Sequence, residues 1–145
     1  MFGEFLKRLT APAPAPLTDS DARLALGALL VRVARSDNNY DAREVARIDQ
    51  ILSSRYGLTP AKASELRKQC EVLETEAPDT VRFTRAIKDA VPHENRVAVI
   101  EALWEVALTD GMRDENEDAV LRLVSDLLGV NDMDRAKARQ RVAAR

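Results

Sequence analysis

Apolar residues recur along this chain at spacings of three and four, with no stretch of strict alternation. That period belongs to α-helices, because residues three and four apart share one face. Leu24, Leu26, Leu29, Leu30 and Val33 mark a first helix, with Thr18 or Ser20 placed to cap it. Val45, Ile48, Ile51, Leu52 and Tyr56 mark a second, which opens near Asp41 and is stopped by Gly57. Leu58 then stands where an apolar residue often accompanies a glycine C-cap. Thr59 and Pro60 open a third helix carrying Leu66, Cys70 and Leu73, with the proline where a missing N–H costs nothing. A fourth, roughly Asp79 to Val91, presents Phe83, Ala86, Ile87, Ala90 and Val91. Pro92 begins a long apolar fifth with Val97, Ile100, Leu103, Trp104 and Ala107. Asp114 opens a sixth with Val120, Leu123, Val124, Leu127 and Leu128, and Gly129 stops it. Asn131 caps a seventh that runs into a basic tail. The expectation is an all-α single compact domain of about seven helices.

Residues 1–16 read differently. Phe2, Phe5, Leu6 and Leu9 fall on one side of a short helix, and "APAPAPL" after it favours an extended, polyproline-like spacer. The partition is therefore a short amphipathic segment and Ala/Pro linker over 1–16 and a helical domain over 17–145. The segment either docks on its own domain or frays, or it meets a partner or a membrane surface. Residues 1–9 are the candidate for peripheral membrane contact, although two turns bury too little for stable binding on their own.

The helical part repeats itself. "LLVRVARSDNNYDAREVARIDQIL" from Leu29 aligns with "ALWEVALTDGMRDENEDAVLRLVS" from Ala102 at an offset of 73 residues. Asp37 then matches Asp110, Asp41 matches Asp114 and Glu44 matches Glu117, while Val33 matches Val106. Once one residue is dropped, "YGLT" corresponds to "LGVN", each a glycine stop, an apolar residue and a new cap. Two similar three-helix halves with pseudo-twofold symmetry are expected. Two copies of this length are too few for a solenoid.

Composition narrows the function classes. Charged residues make up 32% of the chain, but the signs cancel to a formal −2, so no overall polyanion-binding signature is present. Cys70 is the sole cysteine, which rules out a disulfide within the chain and suits a buried structural thiol in a reducing compartment. No apolar run approaches a membrane span. A cytoplasmic protein, at most touching the inner face of the membrane, is expected.

Two acidic junctions carry the candidate chemistry: "SDNNYDARE" at Ser36–Glu44 and "TDGMRDENE" at Thr109–Glu117. Asp41 with Glu44, and Asp114 with Glu117, have the spacing of a capping box and need no ligand to explain them. Asp37 and Asp110 are different, because they fall at helix C-terminal ends, where unpaired carbonyls already concentrate negative charge. Carboxylates and carbonyls converging there are the hard oxygen donors that calcium and magnesium prefer. Neither junction is an EF-hand: counted from Asp37, position 6 is Ala42 and position 12 is Ile48, and counted from Asp110, position 12 is Leu121. The candidate metal ligands are Asp37, Asp41, Glu44, Asp110, Asp114 and Glu117, with a divalent cation, calcium or magnesium, as the candidate cofactor.

With the segments "VARSDNNYDAREV" and "VALTDGMRDENED", the chain resembles the TerB-like domain of tellurite-resistance proteins. It is also similar to the N-terminal domain of a membrane-anchored J-domain co-chaperone. The likeness runs over roughly Leu17 to Val142 and rests on the duplicated Ala-x-x-Asp-(Gly)-x-x-x-x-x-Glu pattern. It implies an all-α fold of two inverted halves whose acidic turns bind a divalent cation, at the six positions just named. The first half departs in having Asn38 where glycine is usual, and no His-Pro-Asp triplet occurs, so J activity does not carry over.

An enzyme is not expected. The sole histidine, His93, stands at a helix start without a nucleophile pattern, and no phosphate loop or zinc spacing occurs. Nucleic acid is not expected as a partner either. Arg135, Lys137, Arg139, Arg141 and Arg145 suit a helix C-terminus and have no interleaved aromatics. Trp104 reads as core. Two functions stay open: a cation-binding module in a bacterial stress or tellurite-resistance-type response, and an interaction scaffold for an unknown protein partner near the membrane, its carboxylates serving only as caps. The oligomeric state is not encoded in any of these features.

Overall fold

A helix that is apolar on every side has to be enclosed by others, and α1 (Asp19–Arg35) is such a helix. Besides the expected Leu26, Leu29, Leu30 and Val33, it buries Ala25, Ala28, Val31 and Ala34. The computed structural model describes residues 19–36, 40–76, 80–109 and 115–145, with the side chains of 19–21, 82, 89, 90 and 115–117 excepted. The amphipathic segment, the Ala/Pro spacer and Thr18 lie outside the described residues, as does the side chain of Ser20. After α1 come α2 (Ala42–Tyr56), α3 (Pro60–Glu76), α4 (Thr80–Ala90), a single 3-10 turn (His93–Asn95), α5 (Arg96–Ala107), α6 (Glu115–Leu128) and α7 (Asp132–Ala143). The described residues form an all-α domain of seven α-helices without a strand. No described helix is long and apolar enough to cross a membrane.

α1 packs mainly against α3 and α4, and also meets α2, α5 and α6. Its closest approach is to α3. A Cβ placed on Gly27 would lie 2.2 Å from Cys70 Sγ, so only glycine lets the two helices come this near. Cys70 is fully buried, its Sγ 3.7 Å from Leu24 O, and burial pushes the thiol pKa up to about 12. It is a neutral packing group, as the isolated cysteine suggested.

At its C-terminal end α1 changes from apolar to basic. Arg32 donates to Glu74 O (3.1 Å) and to Thr80 Oγ1 (3.2 Å). Arg35 donates to Thr75 Oγ1 (3.2 Å) and pairs with the Glu74 carboxylate (3.4 Å). Arg32 thus supplies a donor to a carbonyl that the last turn of α3 leaves open and ties that end to the start of α4, while Arg35 holds its side chains.

The two glycine stops are built alike. Gly57 and Gly129 adopt positive φ (63° and 75°). Behind them Leu58 N donates to Ser53 O (3.0 Å) and Val130 N to Ser125 O (2.8 Å), the long bond of a Schellman cap. Thr59 and Asn131 then cap α3 and α7 through Lys62 N (3.3 Å) and Asp134 N (2.8 Å).

Two details differ from the reading of the pattern. Pro92 leads into the 3-10 turn, and α5 begins only at Arg96. In α6, Leu123 is 45% exposed, and Leu121 takes the core position with Val124 and Leu128. Those three follow the i, i+3, i+7 stripe, which leaves Leu123 on the far side of the helix.

Replacing Gly27 by Ala forces Cys70 aside, and overpacking of this kind costs about 1–3 kcal/mol. Denaturant melts should give that loss for Gly27→Ala. A Cys70→Ala background should recover part of it, because the two side chains compete for one space.

Candidate functional site

The first acidic junction is held on both sides of its undescribed residues. Ser36, after the last turn of α1, donates to Val33 O through both its N–H (3.2 Å) and its hydroxyl (2.6 Å). Tyr40 donates its hydroxyl to Glu71 Oε2 of α3 (2.6 Å), and the Arg35 guanidinium lies 5.2 Å from its ring centre. Glu71 also receives Arg67 Nη1 (3.2 Å), while Arg67 Nε donates to Asp49 of α2 (2.7 Å). Burial, reinforced by the bond to Glu71, raises the pKa of Tyr40 well above that of a free phenol.

Asp41 and Glu44 form a complete capping box at the start of α2. Asp41 Oδ1 accepts from Arg43 N (3.0 Å) and Glu44 N (3.1 Å), and Oδ2 meets the Arg43 guanidinium (3.2 Å). In return Asp41 N donates to Glu44 Oε1 (3.3 Å). The bond from Glu44 N, helped by Arg43, holds the Asp41 carboxyl below the usual carboxylate range. Glu44 is 2% exposed, which is uncommon for a helical first-turn carboxylate, and it makes a further interaction besides the cap. A carboxylate accepts about four hydrogen bonds, so capping does not exhaust Asp41 as an oxygen donor.

The second junction starts in the same way. Thr109 N donates to Val106 O (3.2 Å), the counterpart of Ser36 N to Val33 O, and the Thr109 hydroxyl donates to Glu105 O (2.7 Å). Asp37, Asp110 and Asp114 lie outside the described residues, together with Asn38, Asn39 and Gly111. Glu117 belongs to α6, with its side chain outside them. Of the six candidate ligands the structure thus brings Asp41 and Glu44 together, within one helical turn. Among the described residues no three His, Cys, Asp or Glu side chains are grouped to hold a metal.

Two polar features escaped the sequence reading. The Tyr40–Glu71–Arg67–Asp49 chain joins the junction to α2 and α3, and its only local sign was the Arg67/Glu71 pair at i, i+4. The basic tail is partly folded back. Arg141 pairs with Glu101 (3.2 Å), and Arg145 with Glu101 (2.9 Å) and Glu105, so these cations are already compensated on α5.

The pKa shifts fix two pH responses. The folded pKa of Asp41 is depressed, so its contribution is present above the unfolded carboxylate pKa and lost as pH falls through the folded value. Asp41→Ala should lower the thermal midpoint at neutral pH and show a shallower fall in stability on acidification than the parent. The folded pKa of Tyr40 is raised, so its contribution is present below the unfolded phenol pKa and lost as pH rises above about 10. Tyr40→Phe should cost about 1 kcal/mol near neutrality and flatten the alkaline limb of a pH–stability curve.

The comparisons with known proteins agree with this architecture. No curated protein and no solved structure matches the chain significantly. The family model described as "Tellurite resistance protein TerB" matches residues 23–140, which include both acidic junctions and every helix from most of α1 into α7. The chain belongs to the TerB family.

Proposed function

We propose that this protein is a non-enzymatic TerB module that holds a divalent cation, calcium or magnesium, at its acidic helix junctions, within a bacterial stress or tellurite-resistance-type response. The observation that carries the reading is the extent of the family match, which includes both junctions and all six candidate carboxylates. The geometry at the first junction supports it. The capping box places Asp41 and Glu44 in one turn, and Asp41 is held ionised, the form a hard cation requires. In this reading Asp37 and Asp110, at the helix ends, provide the carboxylates that capping does not account for.

A second reading has a specific observation in its favour. The box at Asp41–Glu44 is complete without an ion, as it is in a scaffold whose carboxylates serve only as caps. That scaffold engages another protein, with residues 1–9 as the segment nearest the membrane.

Calorimetric titration with calcium, magnesium and manganese separates the two, paired with thermal melts with and without chelator. A ligand of the native state at a hundred times its Kd adds about 2.7 kcal/mol to stability. The expected outcome is measurable heat and a raised midpoint, both lost in Asp37→Asn and Asp110→Asn. No heat, no shift and no change in either variant overturns the cation reading and leaves the scaffold.

A further inference from the structure

We propose a second ligand site, for a small oxyanion, in the cleft between α5, α6 and α7. The cleft has a volume of about 210 Å³, and its walls include Trp104, Asp118, Arg122, Arg135, Arg139 and Gln140. A water's share of liquid volume is about 30 Å³, so a phosphate-sized ion fits there with several waters.

Two buried donors around this cleft, Trp104 Nε1 and Arg139 Nε, have no acceptor, and a third, Arg135 Nη1, has only an exposed carboxylate. Trp104 is only 5% exposed, so its indole N–H has no recourse to bulk water. Arg135 Nη1 is 3.1 Å from Asp132 Oδ1, close enough for an ion pair but without the alignment of a hydrogen bond, and Asp132 is largely in solvent. Arg139 stands with its guanidinium 5.6 Å from the Trp104 ring centre. Buried polar groups in native proteins are nearly always paired, so two orphaned donors at one cleft call for an acceptor. Asp118 is the one carboxylate among the described lining residues, and it is itself engaged. Three guanidiniums and the Trp104 indole therefore line a space in which an anion would supply the missing acceptor once the buried N–H groups turn toward it.

The internal repeat gives this cleft a counterpart to compare with. In the first half the matching helices, α2 and α3, pack directly together, whereas α6 and α7 do so far less among the described residues. The seam between α2 and α3 is closed by the Arg67–Asp49 ion pair and by the buried Ala63. In the repeat Arg139 takes the place of Arg67, Arg122 that of Asp49, and Arg135 that of Ala63. Where the first seam has an acid the second has a base, and where the first has a small buried residue the second has a third cation. Among the described residues no carboxylate pairs with Arg122 or Arg139. Like charges placed on opposite walls in this way are costly in an empty cleft and favourable around a shared anion.

The site does not depend on the cation reading of the acidic junctions, and it can be tested without it. Trp104 is the sole tryptophan, so intrinsic emission reports on the cleft directly. The full chain is titrated with inorganic phosphate, sulfate and glycerol phosphate, with chloride at matched ionic strength as the control. The expected result is a saturable change in Trp104 emission and a raised thermal midpoint with at least one oxyanion. Preference for glycerol phosphate over inorganic phosphate identifies the phosphate group of a metabolite as the source, and the reverse identifies the free ion. Arg122 is exposed, so Arg122→Gln should fold normally and weaken binding about tenfold or more. Arg122→Asp should restore the acid–base pair of the first half, abolish the emission change and raise the midpoint of the ligand-free protein. An oxyanion response no larger than that of chloride, or unchanged binding by Arg122→Gln, overturns the proposal.

Discussion

Enclosing α1 on all sides is the constraint from which the rest of the structure follows. A helix with no face left for water contributes apolar area in every direction, but its ends must still be satisfied by polar groups. Here both requirements are met by the same neighbours. α3 lies so close that Gly27 and Cys70 share one contact, and an open carbonyl at the end of α3, Glu74 O, is reached by Arg32 while Arg35 pairs with the Glu74 carboxylate. The first acidic junction begins one residue later. Its position is set by a buried helix and by a polar clasp, and Tyr40 adds a second attachment through Glu71.

That arrangement gives the acidic turn a mixed character. Asp41 and Glu44 stabilise the start of α2 whether or not anything binds, and the depressed pKa of Asp41 comes from the cap. Asp41 is already ionised and Ser36 and Tyr40 already fix both flanks of the turn, so little reorganisation of these flanks is needed for a cation to use it. Capping and ligation are therefore compatible roles for the same carboxylates.

The two segments that match in the sequence agree in their turns and differ in their seams. Their turns stay alike down to single bonds: a hydroxyl residue returning to the preceding turn at Ser36 and Thr109, a left-handed glycine at Gly57 and Gly129, and a side-chain cap at Thr59 and Asn131. Turn chemistry tolerates few residue types, which keeps these positions recognisable. The seams between helices obey no such rule. Asp49 opposite Arg67 closes one seam, and Arg122 at the matching position opposite Arg139 leaves the other open.

Helix number, the stops at Gly57 and Gly129, the caps at Thr59 and Asn131 and the capping box at Asp41–Glu44 were all legible in the residues, because each depends on interactions within a few positions along the chain. The tertiary structure decided what depends on distant partners. The centrality of α1 was hidden because its alanines do not register as an apolar stripe, yet they are what allow neighbours to close in on every side. Leu123 and Leu121 exchanged roles because the choice of buried face belongs to the neighbouring helices. Arg135 and Arg139 read as part of a basic helix end and Arg122 carried no reading at all, since charge alone does not say what faces it. Only packing shows that Trp104 Nε1 and Arg139 Nε are enclosed beside one cleft without an acceptor.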